Sequence, residues 1–161
     1  MSRPLEAVVD TNVVVSLSRT PTAPPNDGLS AAIARRRLCV CADLQGGIVD
    51  EWERTAKRDV VQQLIVHWQQ FKGWKLVAPV SLPRSAARAL EQLNFRDTVD
   101  KLILRTAAST TDRRVVSNDP DFWDPNNKGS VGDSSAPVAR LCRSKLGIEV
   151  SSLSAIVDEL K

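Results

Sequence analysis

Short aliphatic runs alternate along this chain with longer segments whose apolar residues recur every three or four positions, and that alternation predicts its elements. Leu5 to Val9 is a β-branched and aliphatic run that stops at Asp10, the pattern of a buried parallel strand. Val13 to Leu17 continues apolar and opens a helix. Pro21, Pro24, Pro25, Asn26, Asp27 and Gly28 then mark a loop before a second helix, Leu29 to Arg37. Leu38 to Ala42 reads as strand two. Ile48, Trp52 and Ala56 are spaced four apart in a helix over Ile48 to Arg58, and Val60, Leu64, Trp68 and Phe71 mark another over Val60 to Phe71. Strand three is Leu76 to Val80. Pro83 suits the first turn of a helix running to Leu93, and a further helix covers Asp97 to Ser109. Arg114 to Ser117 forms strand four, Asp124 to Pro137 a long surface loop and Val138 to Lys145 a helix. Ile148 to Val150 gives strand five, and Ser152 to Leu160 a terminal helix.

Parallel neighbours need crossover connections, so strands alternating with helices predict a three-layer α/β/α fold with a mainly parallel sheet of about five strands. The expected arrangement is one domain over residues 1–161. Functional groups in such sheets gather beyond the C-terminal strand ends, where strand order reverses. Asp10 and the pair Asn118 and Asp119 fall just after predicted strands.

Composition narrows the chemistry. Hydrophobic residues make up 42% and charged residues 25%, ordinary values for a folded protein. No apolar run approaches the roughly 20 residues that span a bilayer, and Met1 to Asp10 lacks a signal peptide's apolar stretch, so a soluble cytoplasmic protein without membrane partners is expected. Cys39, Cys41 and Cys142 lack zinc-site spacing and read as buried small hydrophobes. The lone histidine, His67, sits among Leu64, Ile65, Trp68 and Phe71 on a predicted helix. That suggests packing, and it excludes a two-histidine metal site. A net charge of +3 is too small to establish nucleic-acid binding. Four basic clusters (Arg35 to Arg37; Lys57 and Arg58; Arg113 and Arg114; Arg140, Arg143 and Lys145) would hold a phosphate backbone if several of them surrounded an acidic site.

Four sequence-distant acidic positions stand out: Asp10, the group Asp50, Glu51 and Glu53, the pair Asp97 and Asp100, and Asp119 with Asp121. Carboxylates converge only when protons or a cation compensate them, and hard oxygen ligands suit Mg²⁺ or Mn²⁺. Phosphodiester hydrolysis needs such a cluster, because a bound metal activates water and orients the phosphate. Helical geometry alone does not choose between Glu51 and Glu53. Asp97 also suits a helix N-cap, whereas Asp100 lies one turn in, flanked by Val99, Leu102 and Ile103.

Four segments carry a family likeness. Ala7-Val8-Val9-Asp10-Thr11-Asn12-Val13 resembles the opening strand and Asp-Thr-Asn signature of PIN domains, the family that includes VapC-type bacterial toxins. Ile48-Val49-Asp50-Glu51-Trp52 is similar to the second acidic segment of that family. Asp100 followed seven residues later by Ala107 is similar to its helical acid, and Val115 to Phe122 to its Ser-Asn-Asp strand end. The resemblance implies a PIN-like fold and a metal-dependent endoribonuclease in which Asp10, Glu51, Asp100 and Asp119 bind catalytic Mg²⁺ or Mn²⁺. It implies supporting roles for Thr11 or Ser117 as a hydroxyl, for Asn12 in holding the acidic turn, for Asn118 beside Asp119, and for Asp97 and Asp121 in an outer shell or at a second metal. The implied partners are an RNA substrate, a cognate antitoxin protein and a second copy of the chain. Gly46 and Gly47 depart from the pattern near a helix start. Two alternatives are a PIN-like scaffold that binds RNA or protein without cutting, and a haloacid dehalogenase-like phosphatase. The second requires an aspartate where Asn12 stands.

Overall fold

The computed structural model describes residues 2–20 and 22–161; Met1 and Pro21, the latter one of the expected loop markers, lie outside the described residues. Five strands form one sheet in the order β3-β2-β1-β4-β5: β1 Leu5–Val9, β2 Leu38–Asp43, β3 Trp74–Val77, β4 Arg114–Val116 and β5 Glu149–Ser151. Every pairing is parallel, with Val8 level with Cys41 on one side and Val115 on the other. The helices are α1 Thr11–Ser18, α2 Gly28–Ala34, α3 Gly47–Thr55, α4 Arg58–Gln70, α5 Arg84–Gln92, α6 Thr98–Ala108, α7 Pro137–Leu141 and α8 Leu153–Glu159. The chain steps outward from β1 to β2 and β3, then returns across the sheet to β4 and β5. Right-handed crossovers therefore place α1 to α4 on one face and α5 to α7 on the other, giving three α/β/α layers.

The strands are apolar because both faces are covered. Ala7, Val8 and Val9 of β1 and Val40, Cys41 and Ala42 of β2 are fully buried. On α6, Asp100, Ile103, Leu104 and Ala107 follow the i, i+3, i+4, i+7 spacing of a core-facing stripe, so one carboxylate occupies a position that the pattern reserves for an apolar residue. Trp52, Trp68 and Trp74 pack with ring centroids 6.0–6.3 Å apart, and Trp68 Nε1 donates to Ser30 Oγ at 3.0 Å. All three cysteines are buried, and burial pushes the Cys142 thiol up to about 12. His67 packs edge-on against Phe71 at 5.1 Å, as its helical neighbours predicted. No helix among the described residues is long and apolar enough to cross a membrane.

Several boundaries differ from the sequence expectation. The third strand begins at Trp74 and ends at Val77, not Val80. It lies at the sheet edge, and beyond it Pro79 has no N–H to donate to a ladder. Helix α2 stops at Ala34, where Arg36 at φ 58° turns the chain into β2, and α3 stops at Thr55 because Ala56 is extended. The helix after the 124–137 loop changes to a π-helical segment at Cys142–Leu146. That loop is partly folded: Lys128–Ser130 forms a 3-10 turn, and buried Ser130 accepts the Asp124 N–H at 3.1 Å.

The two glycines before α3 have local causes. Gly46 sits at φ 88°, which side-chain-bearing residues avoid, and a Cβ on Gly47 would come within 2.7 Å of Leu102 Cδ2. Asp43, at the end of β2 and 1% exposed, accepts the N–H groups of Gly47 at 2.9 Å and Ile48 at 2.8 Å, and so caps α3. Asp43→Ala strands both donors and should destabilise the fold by about 2 kcal/mol, lowering its melting by about 6 °C. A thermal melt checks this, and unchanged melting would show that α3 is held by other contacts.

Candidate functional site

The point where strand order reverses lies at β1 and β4, the two strands that deliver Asp10 and Asp119. Asp10 is 3% exposed and caps α1, its Oδ1 accepting the Thr11 N–H at 2.7 Å. The fully buried Ser117 joins the two acidic turns. The Asp119 N–H donates to Ser117 Oγ at 3.0 Å, and the Ser117 hydroxyl donates to Asp10 Oδ2 at 2.7 Å. Trp123 Nε1 holds the Ser117 carbonyl at 3.2 Å, while Asp119 Oδ1 accepts the Asp121 N–H at 3.0 Å. Asp97 caps α6 by accepting from Val99 at 2.9 Å and Asp100 at 3.0 Å. That helix start aims Asp100 inward.

These groups share one cleft of about 380 Å³, lined by Asp10, Glu51, Asp97, Asp100, Asp119 and Asp121, with Thr11, Asn12, Val15, Ser16, Arg19, Thr55 and Val99 completing its walls. Burial pushes the Asp100 carboxyl up to about 8, with further contributions from the charges of Asp10, Asp97, Asp119 and Asp121. Burial likewise raises Asp10 to about 6 against the lowering effect of its Ser117 and Thr11 hydrogen bonds, and raises Asp121. The cleft therefore holds more carboxylates than it can leave charged without a compensating cation or proton.

The structure separates the acids of α3. Glu51 lines the cleft and pairs with Arg54 at 2.5 Å, whereas Glu53 pairs with Arg58 at 3.2 Å in a separate surface group with Asp50. Ser117 is committed to positioning Asp10, and Thr11 lines the cleft. Asn118 corrects the expectation. Its side chain faces away from the acids and accepts the Leu153 N–H at 3.0 Å, because alternate residues at a strand end point to opposite faces. Asn12 also differs: its Oδ1 is buried without a hydrogen-bond partner, so it does not tie down the acidic turn.

None of the residues of the four basic clusters lines the cleft. Arg35 and Arg37 donate to the main-chain oxygens of Leu160 and Lys161, Arg113 donates to that of Leu146, and Arg114 pairs with the Glu159 carboxylate. Arg37 precedes β2 while Arg113 and Arg114 open β4, so both clusters belong to the N-terminal sheet edge, opposite the acids. Arg143 donates to the Ser134 carbonyl. The basic residue that does line the cleft is Arg19, which belongs to no cluster; an isolated arginine before a proline-rich loop gave no sequence signal.

Among the described residues, no three Asp, Glu, His or Cys side chains lie close enough together to hold one metal ion. Mg²⁺ seldom uses such a cage. It binds through one or two carboxylates, retains several waters and takes further oxygens from substrate phosphates. The hard donor set, the buried Asp10 and Asp100, and the unpartnered Asn12 acceptor fit an open site of that kind. Comparisons with protein-family models, curated proteins and solved structures yield no match to this chain.

Proposed function

We propose that this protein is a Mg²⁺- or Mn²⁺-dependent endoribonuclease. The observation that carries the reading is the arrival of four sequence-distant acidic segments in one cleft at the β1/β4 edge, in the chain order that resembles PIN domains. Asp10, Glu51, Asp100 and Asp119 would serve the metal, one or two of them as direct ligands and the others through its retained waters, with Asp97 and Asp121 behind them. When bound, the cation supplies a nucleophilic water and offsets charge on the scissile phosphate. The protein's own part is positional. Ser117 fixes Asp10 relative to Asp119, Asp97 orients the start of α6 beneath Asp100, and burial makes Asp10 and Asp100 hold a proton more readily than ordinary carboxylates, a proton each would give up to serve as a ligand. Incubating the purified protein with RNA in Mn²⁺ and in EDTA tests the reading: cleavage is expected in the first and none in the second. Binding without cleavage would favour the scaffold alternative.

The resemblance extends the proposal to a toxin restrained by a cognate antitoxin. Expression alone should then slow bacterial growth, while Asp100→Ala, at an equal protein level, should restore it. A small protein encoded alongside should also restore growth, by placing a basic side chain among the carboxylates. Harmless expression of an active nuclease would instead indicate a stand-alone RNA-processing enzyme.

A further inference from the structure

Arg19 lines the same cleft as Asp10, from the opposite end of α1. It is the C-terminal cap of α1, it is exposed, and among the described residues it is the one cation lining the cleft. Arg54, close by, is committed to Glu51, whereas no ion pair among the described residues involves Arg19. An exposed guanidinium beside six carboxylates that pairs with none of them stays available to an incoming anion. Its planar fork suits a phosphate, to which it donates two parallel hydrogen bonds.

Position decides which phosphate. Arg19 lies nine positions after Asp10, about 13 Å along the helix axis at about 1.5 Å per residue. The scissile phosphate lies where the carboxylates meet at the β1 and β4 ends, and the Arg19 side chain enters the same cleft from the other end of α1, so its guanidinium meets the strand to one side of that phosphate. Resting on the ribonuclease reading, we propose that Arg19 is a positioning residue that grips a phosphate flanking the scissile one and guides the RNA strand along α1. An acidic cleft repels a polyanion, and the basic clusters at the opposite sheet edge do nothing to offset that repulsion. A cation at the end of α1 offsets it where the strand must pass.

The test uses the full-length protein in Mn²⁺ with an RNA oligomer of about twelve nucleotides and with a dinucleotide. On the oligomer, Arg19→Ala should raise KM about tenfold with kcat within about twofold, and should flatten the fall of log(kcat/KM) with log[salt] by about 0.7. Arg19→Lys should recover the salt slope but only part of the affinity, since an ammonium lacks the fork. On the dinucleotide, which does not reach the end of α1, the penalty should shrink below about twofold. An equal penalty on both substrates, or none on the oligomer, overturns the assignment. Oligomer binding by fluorescence anisotropy, comparing Asp119→Asn with the Asp119→Asn, Arg19→Ala double variant, reads Arg19 without turnover. A wild type that cuts no RNA while this binding difference persists defeats the ribonuclease reading alone; cleavage without the difference defeats the role of Arg19 alone.

Discussion

Asp119→Asn is expected to lower Mn²⁺-dependent RNA cleavage at least about 100-fold, because a neutral amide is a poor ligand for a hard cation. The substitution is close to isosteric, and the local hydrogen bonds survive it. An asparagine carbonyl still accepts the Asp121 N–H, and the backbone N–H still reaches Ser117. What changes is the second oxygen, which becomes an NH₂ donor facing into the cleft. Asp10→Asn should lose activity similarly, with some loss of stability as well, since both of its oxygens accept hydrogen bonds from Thr11 and Ser117. Glu51→Gln should follow them, while Glu53→Gln, which lies outside the cleft, should stay within about twofold of wild type. Cleavage that persists in EDTA would sink the metal mechanism. A reversed order of the two glutamates would show that α3 presents its other face to the substrate.

Asp100→Asn should stabilise the protein in EDTA and weaken its response to metal. Two carboxylates about 6 Å apart repel by roughly 3 kcal/mol at an effective dielectric of about 20, before solvent and counter-ions reduce it. Asp100 titrates near 8 in the folded protein, pushed up first by burial and then by Asp10 and the other acids. The unfolded group titrates near its ordinary value of about 3.9. The folded state therefore binds this proton more tightly, so the Asp100 contribution to stability is full below about pH 4 and is lost as pH rises toward 8. Without metal, wild type should melt higher at about pH 5 than at about pH 8, and the variant should show a shallower decline. Near pH 8 the variant should melt a few degrees higher, corresponding to about 1 kcal/mol. Saturating Mn²⁺ should reverse the order, because it binds only the folded site and binds the wild type more tightly. Paired melts across pH, with EDTA and with Mn²⁺, check both halves. A variant that melts lower in EDTA and gains equally from Mn²⁺ would place Asp100 outside the cation site and shift attention to Asp97.

The layers and most of the elements were legible in the sequence, because a fully covered parallel sheet leaves near-continuous aliphatic runs and its helices carry one apolar stripe each. β1 and Asp10 fall where the pattern predicts. β3 does not, because an edge strand is only partly covered: Leu76 is 47% exposed, so its hydrophobicity reports no burial. Asp43 carries the same signal as Asp10, an acid ending an apolar run, yet the Gly46 and Gly47 that follow it turn the chain so that it caps α3. Such a choice depends on backbone direction, which a residue pattern does not record. Asn118 and Arg19 show the same limit in opposite senses. One sits inside a motif and faces away from the site, while the other sits in no motif and faces into it.

The hydroxyl of Ser117 reaches Asp10 across 107 positions of chain. That closure is among the least local contacts in the fold, and pairings of this range carry the largest loop-closure entropy. Every element between β1 and β4 is made on the ribosome before Ser117 exists, so a nascent chain presents Asp10, Glu51 and Asp100 without the residues that complete the cleft. The acidic centre is thus the product of finished folding rather than of any local segment, and partly folded or truncated chains that lack β4 are built without it.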